Sequence, residues 1–229
     1  LVGRPVGAGF RRAVAVDLPD DVRRRTLHHL LLDDLPGASL VSGYALVRVA
    51  PTRFTPGSLP AGLCAGWAVD GSMLRAADAT GEIPVPMGPG APADVDGDDP
   101  DAWHDLPPLP PGSMRRRRRL DLAGDRVEAH LRDSHVGDDG ETVVHEYLVT
   151  ARLDHDAGHL TDVAATALVL PWTECPGAVA SAGRVAGVPL AELHDVVRRD
   201  LVGESTCTHL NDTLRCLADL DALVALRPR

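Results

Sequence analysis

The sequence predicts an α+β protein in which an antiparallel sheet meander is followed by helices. Three observations predict it. Residues 127–170 alternate apolar and polar side chains with the period of a half-buried strand, residues 176–217 switch to helical spacing, and a proline-rich stretch separates this part from what precedes it. The expected organisation is an N-terminal helical and strand part at 1–83, a connector at 84–112, and a sheet-plus-three-helix part at 113–229.

The connector is the clearest boundary. Nine prolines lie between Pro84 and Pro111, interleaved with glycine and the acidic run DVDGDDPD, a composition that neither helix nor sheet interior tolerates. It reads as a segment wrapped over the surface. After the arginine run Arg115 to Arg119, Val127, Ala129 and Leu131 alternate with Glu128, His130 and Arg132. VGDDGE supplies a hairpin turn. The next run sets Val143, His145, Tyr147, Val149, Ala151 and Leu153 on one face, so His145 falls among apolar residues. DHDAGH makes a second turn into Leu160 to Leu170, rich in Val, Ala and Thr. Helical spacing then takes over. Pro176 fits the first turn of a helix ended by Gly187, and Pro189 opens another with Leu190, Leu193, Val197 and Leu201 on one side, ended by Gly203. A third helix starts at Ser205 or Thr206, with Leu210, Leu214 and Leu217 as its buried stripe.

The N-terminal part echoes this end. TLHHLLLDDL at 26–35 can be laid over TCTHLNDTL at 206–214, matching Thr26 with Thr206, His29 with His209 and Leu30 with Leu210. The echo suggests an internally duplicated unit whose N-terminal copy is degenerate, with Leu27 at the position of Cys207.

Composition excludes some functions. A net charge of -10 from 23 Lys+Arg against 33 Asp+Glu disfavours nucleic acid and anionic membranes as partners. No apolar run approaches the roughly 20 residues of a membrane helix, and no signal peptide or starting methionine is present, so a cytoplasmic protein, here a fragment of a longer one, is expected. Four cysteines without regular spacing point to free thiols. The arginine run reads as surface ion pairing with the acidic connector. Phosphate-loop, dinucleotide and nucleophile-elbow patterns are missing, and no organic cofactor is announced.

Chemistry concentrates in STCTHLNDTLRC at 205–216. Cys207 at a helix start is expected to have its thiolate favoured by free backbone N–H groups and the helix dipole, as is Cys175 before Pro176. On a helix, His209, Asp212 and Cys216 share one face, and a carboxylate one turn away can fix the tautomer of an imidazole. The catalytic candidates are therefore His209, Asp212, Cys207 and the inward His145. A zinc or iron reading uses Cys175, Cys207 and His209, with a fourth ligand such as His135 or Asp133 from the hairpin. GLCAGWAVDGSM, with Cys64, Trp67 and Asp70 among three glycines, suits a tight loop near a ligand.

The stretches LPPGSMRRRRRLDL, VEAHLRDSHV, VVHEY, LPWTECPGA and STCTHLND resemble the bacterial proteins grouped as domain of unknown function 2889, and the likeness runs from about Val6 to Leu220. The resemblance implies an actinobacterial type of protein with more sequence before this start and another arginine-rich strand there. It implies no activity. More loosely, a sheet followed by helices with thiols near ECPGAVAS and CTH is similar to iron–sulfur scaffolds of the NifU and SufE type, which use a third cysteine in the hairpin. Here the hairpin offers Asp133 and His135.

The first expectation for function is an enzyme on a small-molecule substrate, a hydrolase, isomerase or lyase without organic cofactor. In it His209 is the general acid or base, Asp212 orients it, Cys207 is thiolate or ligand, and His145 is a second pocket group. The second is a metal-binding or scaffold protein, and the third a structural or interaction domain. A homo-oligomer or a second chain fragment is the expected macromolecular partner.

Overall fold

The computed structural model describes residues 1–7, 9–50, 52–55, 57–91 and 106–226. Backbone packing divides the chain into Leu1–Gly43 and Tyr44–Arg229. Three helices occupy the start: α1 at Phe10–Asp17, α2 at Pro19–Arg24 and α3 at Leu27–Val49, the last running across the division. Within the first unit, Arg11 Nε donates to Asp33 Oδ1 at 2.9 Å and to its carbonyl oxygen at 3.0 Å. At 23 residues, α3 is long and apolar enough to cross a membrane by length and composition alone. This corrects the reading that no apolar run is long enough, because the helix continues through Pro36.

In the second unit, helix α4 spans Ser72–Thr80. Four strands follow, β1 at Ser113–Ala123, β2 at Arg126–Gly137, β3 at Gly140–Asp154 and β4 at His159–Val169, antiparallel in the order β1-β2-β3-β4. The meander is as expected, with one strand more. β1 was hidden because its five arginines carry no apolar alternation. Asp138 and Asp139 form the two-residue loop between β2 and β3, with Gly140 at φ 119, and Gly158 turns the chain into β4 at φ 66. The helical end has a 3-10 helix at Cys175–Val185, then α5 at Leu190–Asp200, α6 at Thr208–Cys216 and α7 at Leu220–Ala225. Three residues per turn line up Cys175, Ala178 and Ser181, all buried.

The core lies between one sheet face and these helices. Val127, Ala129, Leu131, Tyr147, Val149 and Leu160 meet Ala178, Leu193, Val197, Leu210, Leu214 and Leu217. Burying a Leu or Val side chain is worth about 1.5–3 kcal/mol, so this layer dominates the stability of the unit. The polar face of α6 is not solvated. Asn211, Asp212, Thr213 and Arg215 are buried with its leucines, so the helix is enclosed on all sides.

Of the connector, 92–105 lies outside the described residues, and with it the whole acidic run. Residues 84–91 run beside the start of β3. Val143 N donates to Pro89 O at 2.9 Å, and Ala91 N donates to Glu141 O at 2.7 Å. Gly88 sits so close that an added Cβ would lie 1.7 Å from Val143 O.

Glu174 ties the loop after β4 to the first turn of α4. Its carboxylate accepts from Ser72 N and Ser72 Oγ, each at 2.6 Å. The hydrogen bond from the Ser72 hydroxyl is the chief cause that holds this carboxyl low, at about 2. A depressed folded-state value means that the contribution to stability is complete above the unfolded value of about 4.3 and is lost as pH falls toward 2. The expected result is that urea midpoints of wild type and Glu174→Gln differ at neutral pH and converge between about pH 4.5 and 2. A gap that stays constant to pH 2 would remove the tie.

Candidate metal centre

Three strands and one helix bring charged groups into the interior beside the core. Asp133 on β2 lies directly across from Arg116 on β1 and from His145 on β3. The register then steps from Asp133–His145 to Ser134–Val143, leaving Val144 as an extra residue. Such a bulge re-aims the side chains around it. Val143 therefore pairs on the opposite face from His145, a correction to the regular alternation expected for this strand.

Arg116 is the hub of the charges. Its Nε and one terminal nitrogen donate to the two oxygens of Asp133 at 2.6 and 2.8 Å, and its other terminal nitrogen donates to Asp212 Oδ2 at 2.7 Å. Arg215, one turn after Asp212, donates to Asp212 Oδ1. The Asp133 side chain is 0% exposed and that of Arg116 5%. The run Arg115 to Arg119 is thus not simply a surface feature, as its composition suggested. Arg116 points inward because its strand partner, Asp133, is an acid at an inward position.

The two imidazoles meet above this network. The rings of His145 and His209 stack with centroids 3.6 Å apart and planes 15° from parallel. His209 Nε2 lies 3.8 Å from Asp133 Oδ2, too far for a hydrogen bond. Both His209 Nε2 and His145 Nδ1 are buried and have no hydrogen-bond partner. Burial pushes His145 well below the ordinary histidine value, with His209 beside it adding to the effect. Burial, helped by the Arg116 charge, brings His209 down to about 3. Both rings are therefore neutral near pH 7. One ligand atom from each of Asp133, His145 and His209 lies within 4.8 Å of the other two, so this group could hold a metal ion.

The expected residues are placed as follows. His145 and His209 come together. Asp212 places its oxygens on Arg116 and Arg215, and its charge also acts on His209. Cys207 is the N-cap residue of α6, its sulfur 3.9 Å from His209 Nδ1. His135 stands with its ring edge-on to Tyr44, at 5.4 Å, and does not join the His/Asp group. Cys175 lies by Gly66, where an added Cβ would be 2.7 Å from its sulfur and 2.9 Å from Trp172. The glycines of GLCAGW thus serve close packing, and Ala65 N donates to Thr206 O at 2.9 Å at the start of α6.

The thiols depart from expectation. Backbone N–H groups of Leu210 and His209 do face Cys207, but burial outweighs them and raises its value. Burial likewise takes Cys175 up to about 12 and raises Cys64. A helix start favours a thiolate only where water or a cation shares the charge, and these sulfurs are enclosed. The hydroxyl of Tyr147, fully buried beside Cys207, is also raised by burial.

Sequence reasoning missed Arg116 and named Asp133 only as an alternative ligand. The available signal was parity, since Asp133 continues the inward series Val127, Ala129, Leu131. Residues 114–222 match the family described as Protein of unknown function (DUF2889), a narrower span than the resemblance in the sequence. No curated protein and no solved structure matches the chain.

Proposed function

We propose, from the premise that residues 114–222 are a DUF2889 family domain, that this domain binds one divalent transition-metal ion through Asp133, His145 and His209. The observation that carries the reading is the pair of buried imidazole nitrogens, His209 Nε2 and His145 Nδ1, left without partners beside a fully buried carboxylate. An unpaired buried polar group costs about 1–3 kcal/mol, and two at one point are a poor arrangement for protein groups alone. Two ligands about 2.1 Å from a tetrahedral ion lie about 3.4 Å apart, so the 3.8 Å between His209 and Asp133 closes with a small shift.

Imidazole and carboxylate together suit zinc or ferrous iron, and three protein ligands leave positions open for water or substrate. The activity such a centre supports is Lewis-acid chemistry on a small molecule. A hydrolase or lyase fits better than a general-base enzyme, because an imidazole brought down to about 3 is a weak base. Arg116, itself held by Asp212, supports Asp133 from behind, as ligating carboxylates usually are supported.

Calorimetric titration of chelator-treated, untagged protein with zinc tests this. About one equivalent should bind, and His145→Ala or His209→Ala should weaken binding at least about tenfold. Less than about a tenth of an equivalent bound, in a range where closed sites are tight, overturns the reading.

A further inference from the structure

His209 can offer a metal the lone pair of Nε2 only if its single proton sits on Nδ1. What faces Nδ1 therefore decides what Nε2 can do. Two groups face it, Cys207 Sγ at 3.9 Å and Thr208 Oγ1 at 3.4 Å. Neither distance is short, but both groups belong to the turn that starts α6, so their positions are set by the backbone of the helix that carries His209.

We propose that Cys207 is a positioning residue for this centre: with Thr208 it accepts the hydrogen bond from Nδ1–H of His209, which leaves the Nε2 lone pair for the ion site. The sulfur can act as acceptor because a thiol keeps lone pairs whichever way its S–H turns. The Nδ1–H of His209 is then directed toward the sulfur. On the far side, Asp133 Oδ2 lies 3.8 Å from Nε2, beyond hydrogen-bond reach, so Asp133 does not hold the proton on Nε2. The inference rests on the metal reading for its purpose, but the tautomer itself exists without any metal.

The test uses the full chain labelled with nitrogen-15 in histidine, metal-free and near neutral pH. Long-range nitrogen–proton correlation should show His209 with a protonated Nδ1 and a bare Nε2. A protonated Nε2, or a doubly protonated ring, overturns the assignment. In Cys207→Ala the Nδ1–H form should lose population and zinc affinity should drop about tenfold, the usual cost of losing an outer partner of a ligating histidine. Cys207→Ser should restore both, since a hydroxyl also accepts, whereas a merely structural role for the sulfur would move neither the tautomer nor its rescue. Unchanged tautomer and unchanged affinity in a folded Cys207→Ala protein count against the proposal. If that variant does not fold, the wild-type tautomer decides alone. A wild-type protein with the Nδ1–H form that binds no zinc supports this inference and sinks the metal reading instead.

Discussion

Arg116→Ala is expected to destabilise the protein by about 3–5 kcal/mol, read from urea unfolding, the cost of leaving buried charge without its partner. The guanidinium holds both oxygens of Asp133 and one of Asp212, and none of the three side chains is more than 7% exposed. Removal strands a carboxylate that has no access to water and, with His209 neutral, no other cation within ion-pair distance among the described residues. Replacing Arg116 and Asp133 together by apolar residues of similar size should cost far less than the single change, because the pair is removed with its desolvation penalty. A loss below about 1 kcal/mol for Arg116→Ala would mean that the network behaves as a screened surface pair.

Gly88→Ala should cost about 1–3 kcal/mol, although it removes nothing. The new methyl group would lie 1.7 Å from the backbone oxygen of Val143, and a backbone atom cannot swing aside as a side chain does. Relief requires residues 84–91 to leave β3, breaking the bonds from Val143 N to Pro89 O and from Ala91 N to Glu141 O. Hydrogen exchange should speed up at Val143 and Ala91 ahead of the rest of the sheet. Wild-type exchange at both amides would show that the segment does not depend on this contact.

The layout was legible where burial follows a simple period. The two-residue alternation of 127–153 and the leucine stripe of α6 led directly to the sheet and its helical cover, because apolar side chains declare their face. β1 was not legible, since Arg115 to Arg119 offers the same residue inward and outward, and only the partner across the ladder decides which is buried. The site was half visible for the same reason. His145 and His209 could be named from an apolar face and a helix start, whereas Arg116 depends on Asp133, and that pairing exists only after the register is set. The thiols of Cys207 and Cys175 were placed at helix starts correctly, yet their chemistry turned on enclosure by Gly66, Trp172 and Tyr147, which no local spacing records.

The extra residue Val144 has a consequence for how this domain can change its length. With Val144 in place, His145 is carried to the inner side of β3 opposite Asp133, even though the stretch from the hairpin at Gly140 begins in the other phase. Deleting one residue between Gly140 and Val144 would close the bulge and leave His145 across from Asp133, whereas adding one would carry His145 past Asp133 and, because successive side chains alternate, turn it outward. The centre is thus protected by a count as well as by chemical identity. Substitutions at Thr142 or Val144 leave that count intact, whereas an insertion between Gly140 and His145 does not.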